Sequence, residues 1–239
     1  MLLDDLLPEY DATRIEHRVI DAPSAAAYAA TLDADFLRAA RENPAVHTLF
    51  AVRGAAERLV GSMRGVSAAA PPGPDRLRLA DLPEEGEWIR LGEDPPNEIA
   101  FGVIGRFWDG VTAWERIDTD GFRSFDRPGF ARIACNFSLR PYGAGRTLVS
   151  YEARTRATDP RSRAAFLRYW RAVAPGVGLV MRAQLAVIDR TSTAATARFH
   201  IVPGLPRDRF LAEPESAPGG DEDAWWRLAE PLRPRTGAG

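Results

Sequence analysis

Three side chains in this sequence could do chemistry in a protein interior: His17, Tyr151 and Cys135. His17 alternates with Ile15 and Val19, a spacing that predicts one shared strand face, taken as the concave, inward one. There an imidazole, titrating near about 6.5 when unperturbed, would donate a hydrogen bond or carry a proton. The plainer alternative is a core-edge histidine satisfied by backbone. Tyr151 shares inward parity with Val149 and Ala153. Its hydroxyl would orient a carbonyl or phenol in an apolar pocket, or simply reach a partner at the sheet edge as a core tyrosine. Cys135 lies on the apolar face of a strand and reads as a small buried hydrophobe, with no histidine nearby in sequence to activate it. A catalytic role therefore stays unassigned, with His17 and Tyr151 as the candidates.

Other chemistries are excluded more firmly. One cysteine leaves no intrachain disulfide and no Cys-rich metal site, and His17, His47 and His200 share no ligand spacing, so no metal is expected. All 31 basic residues are Arg. Without Lys there is no Schiff base, no pyridoxal-phosphate anchor and no phosphate-loop lysine. No Gly-x-Ser-x-Gly motif occurs, and Gly102-x-x-Gly105 lacks the third glycine and following helix of a nucleotide fingerprint. No cofactor is expected.

The elements that would position these residues follow from periodicity. Thr13–Ile20 alternates as a first strand, and Ser24 is placed to cap a helix over Ala25–Leu32. Phe36–Met63 is helical in character, with breaks expected at Asn43-Pro44 and Gly54. Ala68–Asp75, rich in Ala, Pro and Gly, reads as a loop. Trp88–Leu91 and Glu98–Trp108 read as strands, with Ile99, Phe101, Val103 and Phe107 on one face. An aromatic-rich loop, Asp118–Pro128, leads to a long hairpin. Its first arm puts Ala131, Ile133, Cys135, Phe137 and Leu139 on one face, Pro141–Gly145 turns, and Arg146–Thr158 returns. Glu152 and Arg154 fall on the opposite parity, read as a solvated convex face. Asp159-Pro160 opens a helix with Phe166, Trp170, Val173, Val177, Val180, Gln184 and Ile188 near one face, and Pro175-Gly176 with Gly178 should kink or split it.

Charge and composition narrow the partners. The chain has 239 residues and a net charge of −2 with both signs interspersed. It presents no basic face for nucleic acid and no polybasic tract for a membrane surface. The N-terminus lacks the pattern of a signal peptide, and no segment is read as a membrane helix, so a cytoplasmic protein is expected. Residues 10–195 are expected to form one domain. Residues 196–239 read as a Pro/Gly/acid-rich tail in which Asp221–Leu232 could form a short helix presenting Trp225 and Trp226.

Three stretches carry a family likeness: Glu16-His17 in a strand ending Asp21-Ala22-Pro23; Phe125–Arg132 leading to Asn136-Phe137; and Ser162–Trp170 followed by Gly178-Leu179-Val180. Over about residues 13–194 the chain resembles bacterial proteins of the SRPBCC superfamily, also called START-like or polyketide-cyclase-like. The resemblance implies an α+β helix-grip fold, a curved antiparallel sheet wrapped round a long C-terminal helix with a cavity between. The extended Phe36–Met63 connection and the tail depart from the compact pattern. The superfamily includes carriers, receptors, cyclases and oxygenase domains, so the fold selects no activity. The expected partner is a hydrophobic or aromatic small molecule, bordered by His17, Phe101, Val103, Cys135, Phe137, Tyr151, Phe166, Trp170 and Val177. The alternatives are a cyclase or dehydratase acting on a polyketide-like substrate in the same cavity, and an interaction module using the Trp225-Trp226 tail. Oligomeric state is not legible.

Overall fold

A computed structural model describes residues 1–63, 75–110 and 112–199. The predicted loop over residues 68–75 lies almost entirely outside them, as does the Trp225-Trp226 tail. The order of elements is α1 (Leu2–Leu6), β1 (Ala12–Ile20), α2 (Ser24–Asp33), α3 (Leu37–Glu42), α4 (Pro44–Met63), β2 (Ile89–Asp94), β3 (Glu98–Arg106), β4 (Ala113–Glu115), α5 (Thr119–Ser124), β5 (Ala131–Pro141), β6 (Thr147–Ala157) and α6 (Pro160–Phe199). The architecture is α+β: an open, curved antiparallel sheet in the order β1-β6-β5-β3-β2, with β4 also paired to β3 and the long α6 packed against it.

Local chemistry explains most boundaries. Asn43 ends α3 and caps α4, its Oδ1 accepting from the N–H groups of Ala45 and Val46 at 3.0 and 3.2 Å, with Pro44 as the first helical residue. Asp159 does the same for α6, accepting from Arg161 and Ser162 through Oδ1 and from Gly129 through Oδ2. Those bonds, the Ser162 hydroxyl first, bring its carboxyl down to about 2. Asp118 caps α5, a helix within the stretch whose composition predicts a loop.

Four expectations are corrected. Ser24 is the first residue of α2 rather than its cap; Pro23 holds that position, and the Ser24 hydroxyl lies 3.4 Å from that of Thr147. Gly54 does not break α4. Nor does Pro175 split α6, which runs unbroken for 40 residues. Pro175 and Arg171 are both exposed, so the carbonyl left without an intrahelical partner can be met by water. The glycines beside Pro175 serve close approach: a Cβ on Gly176 would meet Leu49 of α4 at 3.0 Å, and one on Gly178 would meet Arg14 and Glu16 of β1 at 2.5 and 2.8 Å.

The fourth correction concerns the convex face. Glu152 and Arg154 are buried, each 7% exposed, because α1 and Tyr10 cover them. Arg154 Nε donates to Glu152 at 2.6 Å, its guanidinium pairs with Asp4 at 2.9 Å, and it lies over the Tyr10 ring. The opening residues are a packed element: Leu3, Leu6 and Leu7 join Ile89, Leu91, Ala100, Ile104, Phe122 and Ala134. Glu98 fastens this layer by accepting from the Leu2 N–H at 3.1 Å and from the Asn136 amide.

Candidate functional site: an aromatic-walled cleft

Strand register decides which side chains face α6. Phe101 pairs with Cys135 and Phe137 with Tyr151, so these four share the concave face of the three central strands. Their rings form a continuous layer. Phe137 stacks on Tyr151 at 4.3 Å between centroids and on Phe36 at 5.6 Å, and Phe101 lies 5.9 Å from Phe137. A second aromatic group gathers where β3 ends and α6 begins: Phe107, Trp108, Trp114, Phe166, Tyr169 and Trp170. Trp88 bridges the two, 6.1 Å from Phe101 and 6.3 Å from Trp114.

Between these groups the packing is incomplete. A cleft of about 540 Å³ runs under α4 and α6, walled on the sheet side by Trp88, Phe107, Trp114, Ile133, Cys135, Tyr151, Ala153 and Thr155. The α6 wall is Phe166, Tyr169, Trp170, Val173, Val177, Val180, Met181 and Gln184, and Leu49, Phe50 and Arg53 of α4 close another side. A smaller cavity of about 120 Å³ adjoins it through Trp88, Tyr151 and Gln184, and is bounded also by Phe36, Leu79, Phe101 and Phe137. By length and composition alone α6 is apolar enough to cross a membrane, contrary to the sequence expectation; about a third of its most apolar stretch is buried. Val173, Val177 and Val180, in the middle of that helix, border the cleft.

The site residues read from the sequence divide three ways. Cys135, Tyr151, Phe166, Trp170 and Val177 border the large cleft, and Phe101, Phe137 and Tyr151 the smaller cavity. Val103 is fully buried on the same sheet face, paired with Ile133, but borders neither. His17 is a correction: it is exposed on the convex side, its Nδ1 2.8 Å from the Ser150 hydroxyl.

The cause lies in the edge position of β1. Pairing of Glu16 with Tyr151 fixes Arg14, Glu16 and Arg18 on the concave face, so Ile15, His17 and Val19 turn outward, where Ile15 is 42% and Val19 38% exposed. The period-2 rule places the apolar set inward only if apolar groups await it. Here α6 brings charged partners instead. Arg18 donates to Asp189 and Arg182 donates to Glu16, each at 2.8 Å. Burial works against the Glu16 carboxylate, yet bonds from Arg14 and Arg182 hold its pKa below the usual range.

Two titratable groups on the cleft wall are neutral at ordinary pH. Burial pushes the Cys135 thiol up to about 12, with a hydrogen bond from Tyr151 acting the other way. Burial raises the Tyr151 phenol well above 10, and Cys135 adds to that. A thiolate nucleophile and a phenolate base are therefore both disfavoured; what remains is a hydroxyl that can donate a hydrogen bond.

Sequence reasoning missed Arg53, Trp88, Trp114 and Tyr169 among the wall residues. A signal for the first was present: Val46, Leu49, Phe50 and Arg53 stand at i, i+3, i+4 and i+7, one stripe of α4. Arg53 Nη1 donates to the Tyr169 hydroxyl at 2.5 Å and Nη2 to the Thr112 hydroxyl at 3.0 Å. Among the described residues bordering the cleft, Arg53 is the only charged one, and none is His, Asp or Glu.

No family model and no curated protein matches the chain. Solved structures of similar arrangement do. A conserved protein from Geobacillus kaustophilus aligns with 77% of this chain and 97% of its own at 11% identity and a TM-score of 0.37. Protein Ms6760 from Mycobacterium smegmatis aligns with 74% of this chain and 88% of its own at 13% identity and a TM-score of 0.34. The di-domain ARO/CYC StfQ from the steffimycin biosynthetic pathway aligns with 78% of this chain and 53% of its own, at 11% identity and a TM-score of 0.31.

Proposed function

We propose that this chain is a helix-grip container of the SRPBCC type that binds a hydrophobic or aromatic small molecule between its sheet and α6. The observation that carries the reading is the cleft of about 540 Å³ walled by aromatic and aliphatic side chains. That volume falls within the roughly 300–1,000 Å³ of small-molecule sites, which are typically apolar with a few polar groups that set orientation. Aromatic walls favour a flat or ring-bearing occupant, since rings gain from offset and edge contacts beyond area burial. Tyr151 supplies an oriented donor at the sheet wall.

Binding is preferred to turnover for a chemical reason. A cyclase or dehydratase needs a group that takes a proton near neutral pH. Among the described wall residues there is no carboxylate or imidazole, while Cys135 and Tyr151 hold their protons.

The test is native mass spectrometry of the full chain as purified, followed by denaturing extraction of any adduct. An apolar adduct that is absent from a Val177→Phe variant of unchanged fold supports the container. A clean apo mass, together with no uptake of a neutral naphthyl probe by the wild-type protein, overturns it.

A further inference from the structure

We infer that the occupant of the cleft is a ring-bearing molecule with a neutral oxygen, carbonyl or hydroxyl, set between its ring body and a short alkyl branch, and that Gln184 with Tyr151 reads that oxygen at the passage into the smaller cavity. This inference rests on the container reading and adds the chemical class of the ligand.

Three residues, Trp88, Tyr151 and Gln184, border both the cleft of about 540 Å³ and the cavity of about 120 Å³, so they frame the passage between the two. Gln184 is out of keeping with its surroundings. It continues the α6 stripe of Val173, Val177 and Val180, and Ile188 follows one turn later, fully buried. Met181 and Leu185 beside it belong to the core. Nearby on the same helix, Arg182 and Asp189 meet charged partners on β1. Among the described residues the Gln184 carboxamide has no hydrogen-bond partner. An amide left unmatched against apolar walls carries a cost that a ligand oxygen would remove.

Tyr151 is the second polar group at the passage. Its hydroxyl bonds to the Cys135 thiol, and sulfur is a weak acceptor. An oxygen presented at the passage is the better partner for that proton. A carbonyl or hydroxyl oxygen has two lone pairs and accepts from the phenol and the carboxamide together, and a hydroxyl also donates to the carboxamide oxygen.

Beyond the passage polarity stops. The smaller cavity is lined by Phe36, Leu77, Leu79, Leu82, Phe101 and Phe137. An apolar cavity of about 150 Å³ stays dry and takes up a benzene. One of about 120 Å³ therefore suits a short alkyl group and turns away a second ring. The ring body is left to the large cleft and its aromatic walls.

The experiment uses the full chain and the fluorescence of N-phenyl-1-naphthylamine, a neutral apolar probe, displaced by matched competitors. These are 2-butyrylnaphthalene, the alcohol made by reducing it, 2-butylnaphthalene with the same skeleton and no oxygen, and 2-acetylnaphthalene with a shorter alkyl end. Gln184→Leu keeps the bulk of the side chain and removes the amide. It should raise the concentration of ketone or alcohol required by about fivefold, the worth of one neutral hydrogen bond, without weakening 2-butylnaphthalene. Tyr151→Phe should act in the same direction. Whichever of ketone and alcohol loses more in Gln184→Leu identifies the oxygen. In the wild-type protein the butyryl ketone should compete at about tenfold lower concentration than the acetyl ketone, because two more methylenes are buried. Leu79→Phe, which fills the smaller cavity, should erase that difference.

Oxygenated and oxygen-free competitors that shift alike in Gln184→Leu and Tyr151→Phe overturn the reading of the oxygen while leaving the container intact. Equal competition by the two ketones in the wild-type protein overturns the seat of the alkyl branch. Failure of the probe to bind at all overturns the container as well. Either polar variant decides the oxygen where the other fails to fold, and the wild-type ketone ratio needs no variant.

Discussion

On the convex side of the sheet, Leu3, Ile89, Ile104 and Phe122 are fully buried under short elements, whereas the concave side carries larger rings and still leaves about 540 Å³ open beneath α4 and α6. The Phe122 ring sits so close to β3 that a Cβ on Gly102 would lie 3.1 Å from it. One surface of the sheet is closed by the chain's own side chains, and the other leaves open volume beneath two helices. Stability should therefore be concentrated on the first and selectivity on the second.

The largest effect expected from breaking this contrast comes from Phe122→Ala. Removing a fully buried ring should cost about 3–5 kcal/mol, read as the shift in denaturant midpoint, without changing the affinity of the folded fraction for an apolar probe. A loss below about 1 kcal/mol would mean that the convex layer is not the store of stability.

Next in size is an alkaline effect on the concave wall. The folded values of Cys135 and Tyr151 are raised, so the native state holds protons that the unfolded chain releases. Their stabilisation is complete below the unfolded thiol value of about 8.5 and declines as pH rises from there toward 12. By pH 10 wild-type protein should have lost about 1–2 kcal/mol from the thiol alone. Cys135→Ala should show a shallower slope across that range in denaturation at stepped pH. Parallel slopes would mean that water reaches the wall.

A smaller change in stability is expected for Val177→Phe. Overpacking a filled core costs about 1–3 kcal/mol, but this ring has open volume ahead of it and should shift stability by less than about 1 kcal/mol. It should also abolish probe uptake. A full overpacking penalty would show that the cleft is closed in solution. The smallest effect belongs to His17→Ala, expected within about 0.5 kcal/mol and with no change in affinity, because the ring faces away from the cleft.

Much of the concave wall was legible from the sequence, because the parity of Phe101, Cys135, Phe137 and Tyr151 and the 3.6-residue spacing of Phe166, Trp170, Val173 and Val177 are written in residue order. What failed was parity at an edge. For β1 the apolar set points out, since the inner positions are matched to Arg182 and Asp189 of α6, more than 160 residues away in the chain. Pattern within a strand carries no knowledge of such a partner. The same limit explains Glu152 and Arg154, whose polarity signals solvent until α1 is seen above them. Arg53 was hidden differently, as a charged residue on a stripe whose period was visible but whose facing surface was not.

The middle of α6 has a consequence beyond shape. From Arg171 to Val180 only Gly178 is buried, while Met181, Ala183, Leu185, Val187 and Ile188 beyond it are held in the core and Phe166 before it is enclosed. The helix is thus a beam supported at both ends over a partly empty span. The span holds Pro175, Gly176 and Gly178, the residue types that weaken a helix most, by about 3 kcal/mol for an interior proline and about 1 kcal/mol for each glycine. On the container reading proposed above, an occupant of the cleft would supply packing to this stretch, and occupancy and local order of the beam would then form one linked equilibrium.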